Sequence, residues 1–497
     1  MKRIFTGFFL ILIILVIYAG FAGAADPKLV EKTLSVSKVQ AEWDIYVPSL
    51  KISPNSTRIA YMVRKNNKYA VIDNGQISSE FDNIGKDTPL FSPDSLQVAY
   101  IAKKGAEWHV VHNGRISEEG YDAVSTPVFS PDSQRLAYIA KKGDKQFVVV
   151  DGKKGKGYEG IVQKLNNPLF SPDSTHVAYI AMKDKKIFLV TDGKKGKDYD
   201  VISSPLYSPD SSRLGYIARQ GDQFFFVEND KAGASYNQIN VCSISPDSRK
   251  FAYTAKKGDK WFMVVNGQEG PRYDGIAIAL FSPDSSRVAY LALKNKKNIM
   301  VIDGREGPAF EQVGFLSFSP DSRHVAYSAM DEGNGFMVVD GKASTKYDAI
   351  LVPIYSPNSA HLAYGAQKGG KWRVVKDGEE GDAYDKITLP QFSPDSRHMS
   401  YMAQKAEKWC VVIDGKEGKV YDGVSITTFS PDSRHLAYAA QSQGTWVIVV
   451  DGEEGMNRFN AIVKGASLVF TDTAHLHTLA LNLAGKAFVS YEIEIRN

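Results

Sequence analysis

The chain has 497 residues, of which 43% are hydrophobic, 11% aromatic and 23% charged, a composition that excludes a disordered tail protein and a polytopic membrane protein. Forty-one Gly, 25 Tyr and 25 Phe favour a turn-rich β protein, and two Cys exclude a disulfide-built scaffold. The net charge of +4 is too small for this length to argue for nucleic-acid binding.

The amino terminus has the three parts of a secretory signal peptide. Two basic residues precede an apolar run over residues 4–17, and small residues with an A-x-A cleavage site at Ala22 and Ala24 follow. We therefore predict a signal peptide over residues 1–25 and an exported protein, periplasmic or extracellular, that is associated with the membrane only if this segment stays uncleaved. The alternative is an uncleaved anchor, because the segment could just span a bilayer.

A four-residue motif, Ser-Pro-Asp/Asn-Ser, recurs along the rest of the chain. It begins at Ser53, Ser92, Ser130, Ser171, Ser208, Ser245, Ser282, Ser319, Ser356, Ser393 and Ser430. Successive gaps are 39, 38 and 41 residues and then 37 seven times, and a Tyr stands eight residues after every motif serine. A degenerate twelfth copy lies at residues 470–473. A fixed period of this length indicates a repeat architecture.

Residues 278–312 show the predicted unit. A short apolar strand ends at the Ser-Pro-Asp-Ser turn, and a second strand follows over residues 287–293. After a polar turn, a third strand over residues 298–303 leads through the hairpin signal Asp303-Gly304 into a weaker fourth strand. Four short antiparallel strands without a helical period predict an all-β propeller with twelve four-stranded blades of about 37 residues.

The aromatic residues recur at fixed places in the repeat. In the unit of Ser282, Tyr290 follows the small residue Ala289, and Phe310 stands in the fourth strand. Because neighbouring blades stack at about 10 Å, large rings beside small residues can interdigitate between them. We interpret these rings as core and not as a ligand platform.

The Phe-Ser-Pro-Asp turn and the Ala-Tyr pair at a fixed distance, such as Phe281–Asp284 with Ala289-Tyr290, resemble the TolB-like, WD-repeat-like propeller repeats of exported bacterial proteins. The resemblance covers roughly residues 40–497 and implies the fold, but it does not identify a partner. The amino-terminal α/β domain of TolB has no place here, since only about 25 residues separate the signal from the first unit. The chain also has Ser after the turn Asp, where the family usually has Gly.

The number of rings stays open at this stage. We predict an amino-terminal segment over residues 26–52 with a ring-closing strand near residues 42–46, followed by tandem repeats over 53–497. One ring of twelve blades would hold its inner strands ~12 Å from the axis and leave a wide opening, whereas six blades almost fill the centre. Because known rings usually have four to eight blades, we slightly prefer two six-bladed rings with a boundary near residues 266–276.

No sequence motif for catalysis or for a cofactor is present. The turn aspartates invite a metal interpretation, but Asp in a turn that begins with Pro usually caps its own backbone, so we predict no metal and no cofactor. Cys242 and Cys410 lie in different units, and we expect buried free thiols.

Histidine recurs five residues after the motif serine. Elsewhere this position holds Arg, Lys or Gln, which indicates a polar donor near the turn and not a metal ligand. A more specific hypothesis is a pH-sensitive patch, because His titrates near pH 6.5. The patch would comprise His324, His361, His398 and His435.

The turns between the second and third strands are rich in lysine. Topology places them on one face of a ring, where they are either solubilising or a basic rim for an acidic partner. The candidate binding residues are Lys65, Lys68, Lys141, Lys142, Lys185, Lys186, Lys256, Lys257, Lys296 and Lys297.

We predict a non-enzymatic exported scaffold that binds a protein or an anionic envelope component, but not nucleic acid, through its loop faces. The alternative is a propeller enzyme of the glycosidase or lyase type that acts on an envelope polymer in the ring centre. Its best candidates are the residues that break the repeat: Asp331, Glu332, His109 and His112. A third possibility is a purely structural spacer.

Overall fold

A computed structural model describes residues 28–38, 43–162, 168–463, 465–482 and 487–496. These residues form an all-β fold, and none of them builds a helix with the length and apolar character of a bilayer-spanning segment. The predicted signal peptide lies outside the described residues.

Blade 7 shows how the repeat folds. Its strands pair antiparallel in chain order and span Gly275–Phe281, Val288–Lys294, Lys297–Ile302 and Arg305–Phe310. The two-residue turn Asn295-Lys296 joins the second and third strands with φ of 51° and 65°. The turn Asp303-Gly304 joins the third and fourth with φ of 52° and 77°. Two-residue hairpins need positive φ at both positions, which explains why Asn, Asp and Gly recur there.

The other blades repeat this order, and seven of them split the first strand into two short pieces. The first strands of blades 1–6 are Asp44–Ile52, Asn83–Ile84 with Leu90–Phe91, Ala123–Val124 with Val128–Phe129, Gly160–Ile161 with Leu169–Phe170, Val201–Tyr207 and Gln238–Ile244. Those of blades 8–12 are Gln312–Phe318, Ala349–Ile350 with Ile354–Tyr355, Lys386–Ile387 with Gln391–Phe392, Gly423–Val424 with Thr428–Phe429, and Ala461–Ile462 with Val469–Phe470.

The second strands are longer and more uniform. They span Ile59–Lys65, Val98–Lys104, Leu136–Lys142, Val177–Lys183, Leu214–Gln220, Phe251–Lys257, Val325–Asp331, Leu362–Lys368, Met399–Lys405, Leu436–Ser442 and His475–Asn482. The third strands span Lys68–Asp73, Glu107–His112, Lys145–Val150, Lys186–Thr191, Gln223–Glu228, Lys260–Val265, Asn334–Val339, Lys371–Lys376, Lys408–Ile413, Thr445–Val450 and Ala487–Arg496. The fourth strands span Gln76–Ile77, Arg115–Ile116, Lys153–Lys154, Lys194–Lys195, Lys231–Tyr236, Gln268–Glu269, Lys342–Ala343, Glu379–Glu380, Lys416–Tyr421, Glu453–Glu454 and, in blade 12, Lys28–Lys38.

Aromatic rings fill the interfaces between blades, as predicted. Tyr273, which follows the fourth strand of blade 6, packs edge to face against Tyr290 in blade 7, with ring centroids 6.1 Å apart. Both rings are buried, and the small residues Ala252 and Ala292 pack beside them. The same pairing recurs as Tyr121 with Tyr138, Tyr158 with Tyr179, Tyr199 with Tyr216, Tyr236 with Tyr253, Tyr347 with Tyr364, Tyr384 with Tyr401, and Tyr421 with Tyr438.

The twelve blades close into a single ring. Blades 6 and 7 share the core around Tyr273, so residues 266–276 continue the array and do not divide it. Blade 12 packs on blade 1, where the rings of Phe488 and Tyr61 lie 5.4 Å apart. The preference for two six-bladed rings is therefore wrong. The physical reason is that the interface of blades 6 and 7 uses the same buried Tyr pair as the interfaces around it, so the array continues through it.

An amino-terminal strand closes the ring, as predicted, but it lies earlier in the chain. Lys28–Lys38 pairs antiparallel with Ala487–Arg496 and forms the outer edge of blade 12. The stretch near Trp43 leads instead into the first strand of blade 1, and the buried Trp43 ring belongs to the core between blades 12 and 1. The last third strand is ten residues long, so its partner has to be longer than the two-residue outer strands of most blades.

The first strands line the axis of the ring. Those of blades 6 and 7 lie in direct contact with each other, whereas the outer strands diverge as in any wheel. We call the surface along the first strands the inner wall and the surface along the fourth strands the outer wall. The end that carries the Ser-Pro-Asp-Ser turns is the turn face, and the opposite end, with the hairpins between second and third strands, is the lysine face.

Candidate binding surfaces

Each turn aspartate is used by its own turn. In blade 7, Asp284 Oδ1 accepts hydrogen bonds from the Ser282 hydroxyl at 2.6 Å and from the Ser286 backbone N–H at 2.9 Å. These donors hold the pKa of the Asp284 carboxyl well below its usual range. The side chain therefore caps the turn, and no group of three or more potential metal ligands occurs among the described residues.

The second serine of each turn links two blades. Ser285 has φ of 64°, and its hydroxyl accepts a hydrogen bond at 2.9 Å from the backbone N–H of Asp247 in the preceding blade. The equivalent bond occurs at all ten interfaces from blade 1 to blade 11. At the closure, Ser467 N–H donates to the Ser56 hydroxyl at 3.2 Å. The turn face therefore contains a nearly continuous ring of hydrogen bonds between blades.

Arg and His make different contacts at the position five residues after the motif serine. Arg287 donates to Asp303 at 2.9 Å and also reaches the backbone carbonyl of Arg323 in the next blade at 2.8 Å. The shorter His side chain contacts the hairpin aspartate of its own blade. The side chain at this position thus donates a hydrogen bond near the turn, as predicted, and an aspartate accepts it.

The four histidines of the predicted patch lie on successive blades of the turn face. Each Nδ1 lies 2.6–2.7 Å from a carboxylate, in the pairs His324 with Asp340, His361 with Asp377, His398 with Asp414 and His435 with Asp451. The bond to Asp451 raises the pKa of His435. A pH-dependent function of this patch stays a prediction.

The structure brings the ten predicted lysines to the lysine face and pairs five of them with carboxylates of described residues. The pairs are Lys68 with Asp82, Lys142 with Glu107, Lys186 with Asp200, Lys257 with Glu269, and Lys297 with Asp331. The ammonium groups of Lys65 and Lys256 lie 5.9 Å from the ring centres of Trp43 and Trp261. Lys141, Lys185 and Lys296 are exposed and have no ion pair with any described residue.

The inner wall carries a pattern that the sequence reasoning missed. In blades 6–8 the first strand bulges at the residue four positions before the motif serine, and this position is apolar in blades 6–11: Val241, Ile278, Phe315, Val352, Leu389 and Ile426. In blades 1–5 it is polar: Ser49, Thr88, Thr126, Asn167 and Ser204. Aligning the repeats at this one position would have revealed the change. We call the six apolar residues the apolar arc.

Three side chains of the apolar arc are open to solvent, and Val352 is half-buried. Phe315 is 52% exposed, Leu389 44% and Ile426 78%. Phe315 also has φ of 45°, which is rare for a bulky residue and is tolerated mainly where structure or function requires it. The bulge leaves Phe315 outside the ladder between the first and second strands of blade 8.

The residues that broke the repeat do not assemble into one site. Asp331 pairs with Lys297 at 2.8 Å, and Glu332 occupies a hairpin turn of blade 8. His109 and His112 lie on blade 2, on the opposite side of the ring, where His112 Nε2 contacts Gln97 at 2.7 Å. The enzyme hypothesis therefore gains no cluster of acids and bases from these residues.

No family model and no curated protein sequence matches the chain. Several solved propeller structures resemble it at low similarity. A eukaryotic initiation factor shares 14% identity over 74% of this chain and 96% of its own, with a TM-score of 0.34. TolB from Acinetobacter baumannii shares 13% identity over 59% and 77%, with a TM-score of 0.23. The Dos1 propeller shares 10% identity over 57% and 90%, with a TM-score of 0.28. At this level none of them assigns the chain to a family or to a function.

Proposed function

We propose that the protein is an exported, non-enzymatic scaffold that binds a partner protein in the opening of its ring. The apolar arc carries this proposal. Exposed apolar side chains that are contiguous and bounded by polar surface mark interaction sites. The arc position is apolar in six consecutive blades of this ring, and three of these side chains, Phe315, Leu389 and Ile426, are strongly exposed.

The occupant that fits is an amphipathic α-helix. Inner strands ~12 Å from the axis leave roughly 12 Å of free width between opposing side chains, about the diameter of a helix with its side chains. On blades 8, 10 and 11 the wall exposes Phe315, Leu389 and Ile426, which suit the apolar face of such a helix. A seven-residue strand makes the wall about 23 Å deep, enough for a helix of about fifteen residues.

Export is supported by the signal pattern at the amino terminus and places the partner in the cell envelope or outside the cell. The chain would present the opening between two faces of different chemistry. The turn face carries capped aspartates, and the lysine face retains a few unpaired ammonium groups. These faces would act as rims that admit the partner.

A cross-linking experiment on residues 26–497 tests the proposal. A photo-reactive amino acid at position 426 should capture one reproducible envelope protein, and a synthetic peptide of its cross-linked segment should bind and gain helical circular dichroism. The variant Leu389→Ser/Phe315→Ser should weaken peptide binding at least tenfold. The matched control is Leu96→Ser, which removes a 70% exposed side chain from the turn of blade 2.

Two results would contradict the proposal. One is capture of no reproducible partner, and the other is equal peptide affinity for the wild type and the inner-wall variant. Depletion of an envelope glycan by the purified protein would favour the enzyme hypothesis instead.

A further inference from the structure

The outer wall of the ring has an uneven distribution of charge. Blades 3 and 4 both continue from the third strand with the sequence Asp-Gly-Lys-Lys-Gly-Lys. Six lysines are consequently exposed on two neighbouring outer edges: Lys153, Lys154, Lys156, Lys194, Lys195 and Lys197. They are distinct from the lysines of the lysine face.

Most of these lysines have no carboxylate partner. Lys154 pairs with Glu119 at 2.6 Å and Lys195 with Asp198 at 2.7 Å. Lys153, Lys156 and Lys194 form no ion pair with any described residue. The ammonium group of Lys197 lies 5.6 Å from the ring centre of Tyr199. The outer wall of these blades therefore retains positive charge at Lys153, Lys156 and Lys194 that no described carboxylate pairs with.

The fold does not require lysine at these positions. Blade 9 has Glu379-Glu380 and blade 11 has Glu453-Glu454 in the same place, each forming the same two-residue outer strand after the same Asp-Gly turn. The outer strand therefore forms with either charge at these positions. The local accumulation of lysine in two adjacent blades points to a ligand.

The register arranges the lysines in two matching rows. Lys153 and Lys154 pair with Val150 and Val149 in blade 3, and Lys194 and Lys195 pair with Thr191 and Val190 in blade 4. Equivalent lysines thus occupy equivalent strand positions, one blade apart.

We propose that the outer wall of blades 3 and 4 binds a linear anionic polysaccharide that crosses both rows. Ammonium groups on flexible stems are hydrated point charges that recognise anions without a fixed geometry, which suits a polymer with regularly spaced carboxylates or sulfates. The wall is convex, so a flat anionic membrane would reach only part of the patch. A flexible chain can follow the curve from one row to the next.

The proposal is independent of the partner in the ring opening, because the two surfaces lie on opposite edges of the blades. Since the contacts are exposed and electrostatic, binding should weaken as salt rises. The glutamates of blades 9 and 11 also show that an acidic side chain can replace these lysines without loss of the fold.

The test uses residues 26–497 and alginate as the probe, measured by calorimetry at 50 and 300 mM NaCl. The variant Lys153→Glu/Lys194→Glu removes two unpaired lysines from the outer wall. The control Lys141→Glu/Lys185→Glu removes two unpaired lysines from the lysine face of the same two blades, with the same change in net charge. We expect the outer-wall variant to lose at least tenfold more affinity than the control, and binding to fall at 300 mM NaCl.

Three outcomes would overturn the proposal. The wild type does not bind alginate at 50 mM NaCl, or both variants lose affinity equally, or polyglutamate or phosphatidylglycerol vesicles bind at least as tightly as alginate. A neutral dextran should not bind. If alginate does not bind but position 426 still captures a partner, only the outer-wall proposal fails. If alginate binds but position 426 captures nothing, only the ring-opening proposal fails.

Discussion

The second serine of each turn has a left-handed backbone conformation that glycine adopts more easily. In blade 7 this residue is Ser285, and its φ is 64°. Its hydroxyl receives the Asp247 N–H of the neighbouring blade, a contact that glycine cannot supply. The left-handed serine backbone costs free energy, and the hydrogen bond between the blades offsets this cost. This accounts for serine instead of glycine at a left-handed position.

Substitutions at Ser285 should separate the two effects. Ser285→Ala keeps the backbone cost and loses the hydrogen bond, so we expect the free energy of unfolding to fall by about 1–2 kcal/mol. Ser285→Gly loses the same bond but relieves the left-handed strain, so its loss should be smaller by about 1 kcal/mol. Urea unfolding of the three proteins measures the order. An alanine variant as stable as the wild type would refute this account.

The pair of His435 and Asp451 should make stability depend on pH. Asp451 and the more distant Asp432 raise the pKa of His435 above 6.5, opposed by burial and by Arg434. Because the folded-state pKa is raised, the charged pair stabilises the fold fully below about pH 6.5, and this contribution disappears as pH rises through the raised pKa. The free energy of unfolding of the wild type should therefore exceed that of His435→Gln, and this difference should be larger at pH 5.5 than at pH 8.5.

Unfolding at both pH values, together with a proton NMR titration of His435, tests this expectation. Asp451→Asn serves as the control because it removes the carboxylate and should return the His435 pKa toward its ordinary value. A stability difference that is the same at both pH values would contradict it.

The periodicity of the residues made contacts within a blade predictable, but not contacts between blades. The Asp cap of each turn lies within two residues of its partners, so turn chemistry alone identified it. The partner of Ser285 is 38 residues away, and the partner of Lys68 is Asp82 at the edge of the next blade. Such contacts depend on how neighbouring repeats stack, which local patterns do not specify.

At the scale of strands, the closing strand of blade 12 differs most from the repeat. Lys28–Lys38 has ten paired partners, whereas most outer strands have two residues. It covers the edge of Ala487–Arg496, which would otherwise present unpaired backbone groups. Ser37 of this strand also contacts the Tyr61 hydroxyl of blade 1 at 3.3 Å. The strand thus joins the last blade to the first.

Removing this strand should open the ring. We expect a protein that begins at residue 39 to be less stable and to self-associate, because the exposed edge can pair with another copy. Size-exclusion chromatography and thermal unfolding measure both effects. A synthetic peptide of residues 26–38 should restore the monomer and its stability, whereas a scrambled peptide should not. A truncated protein that remains monomeric and fully stable would show that the strand is dispensable.

At the scale of the molecule, the number of blades per ring follows from the angle between neighbours. In a ring of twelve blades, neighbours differ in direction by one twelfth of a circle on average, and in a ring of six by one sixth. Side-chain packing at each interface sets this angle. Sequence spacing reports the length of a unit and not this angle. The blade count was therefore predictable, whereas the ring count was not.

Particle images should show a single annulus. Blades centred ~19 Å from the axis, with half-widths of ~7 Å, give an outer diameter of about 52 Å and an open centre. Negative-stain or cryo-electron microscopy of residues 26–497 measures both features. Two smaller discs without openings would contradict the twelve-bladed ring.

The pairing of Lys28–Lys38 with Ala487–Arg496 also sets an order of events during synthesis. The strand is made before the eleven blades that separate it from its partner, so it has to wait unpaired while they form. An unpaired strand of this length is prone to aggregate. Lys28, Glu31, Lys32 and Lys38 interrupt its apolar residues, and such charges act as gatekeepers against premature pairing. The charged residues of this strand therefore limit premature pairing before the ring closes.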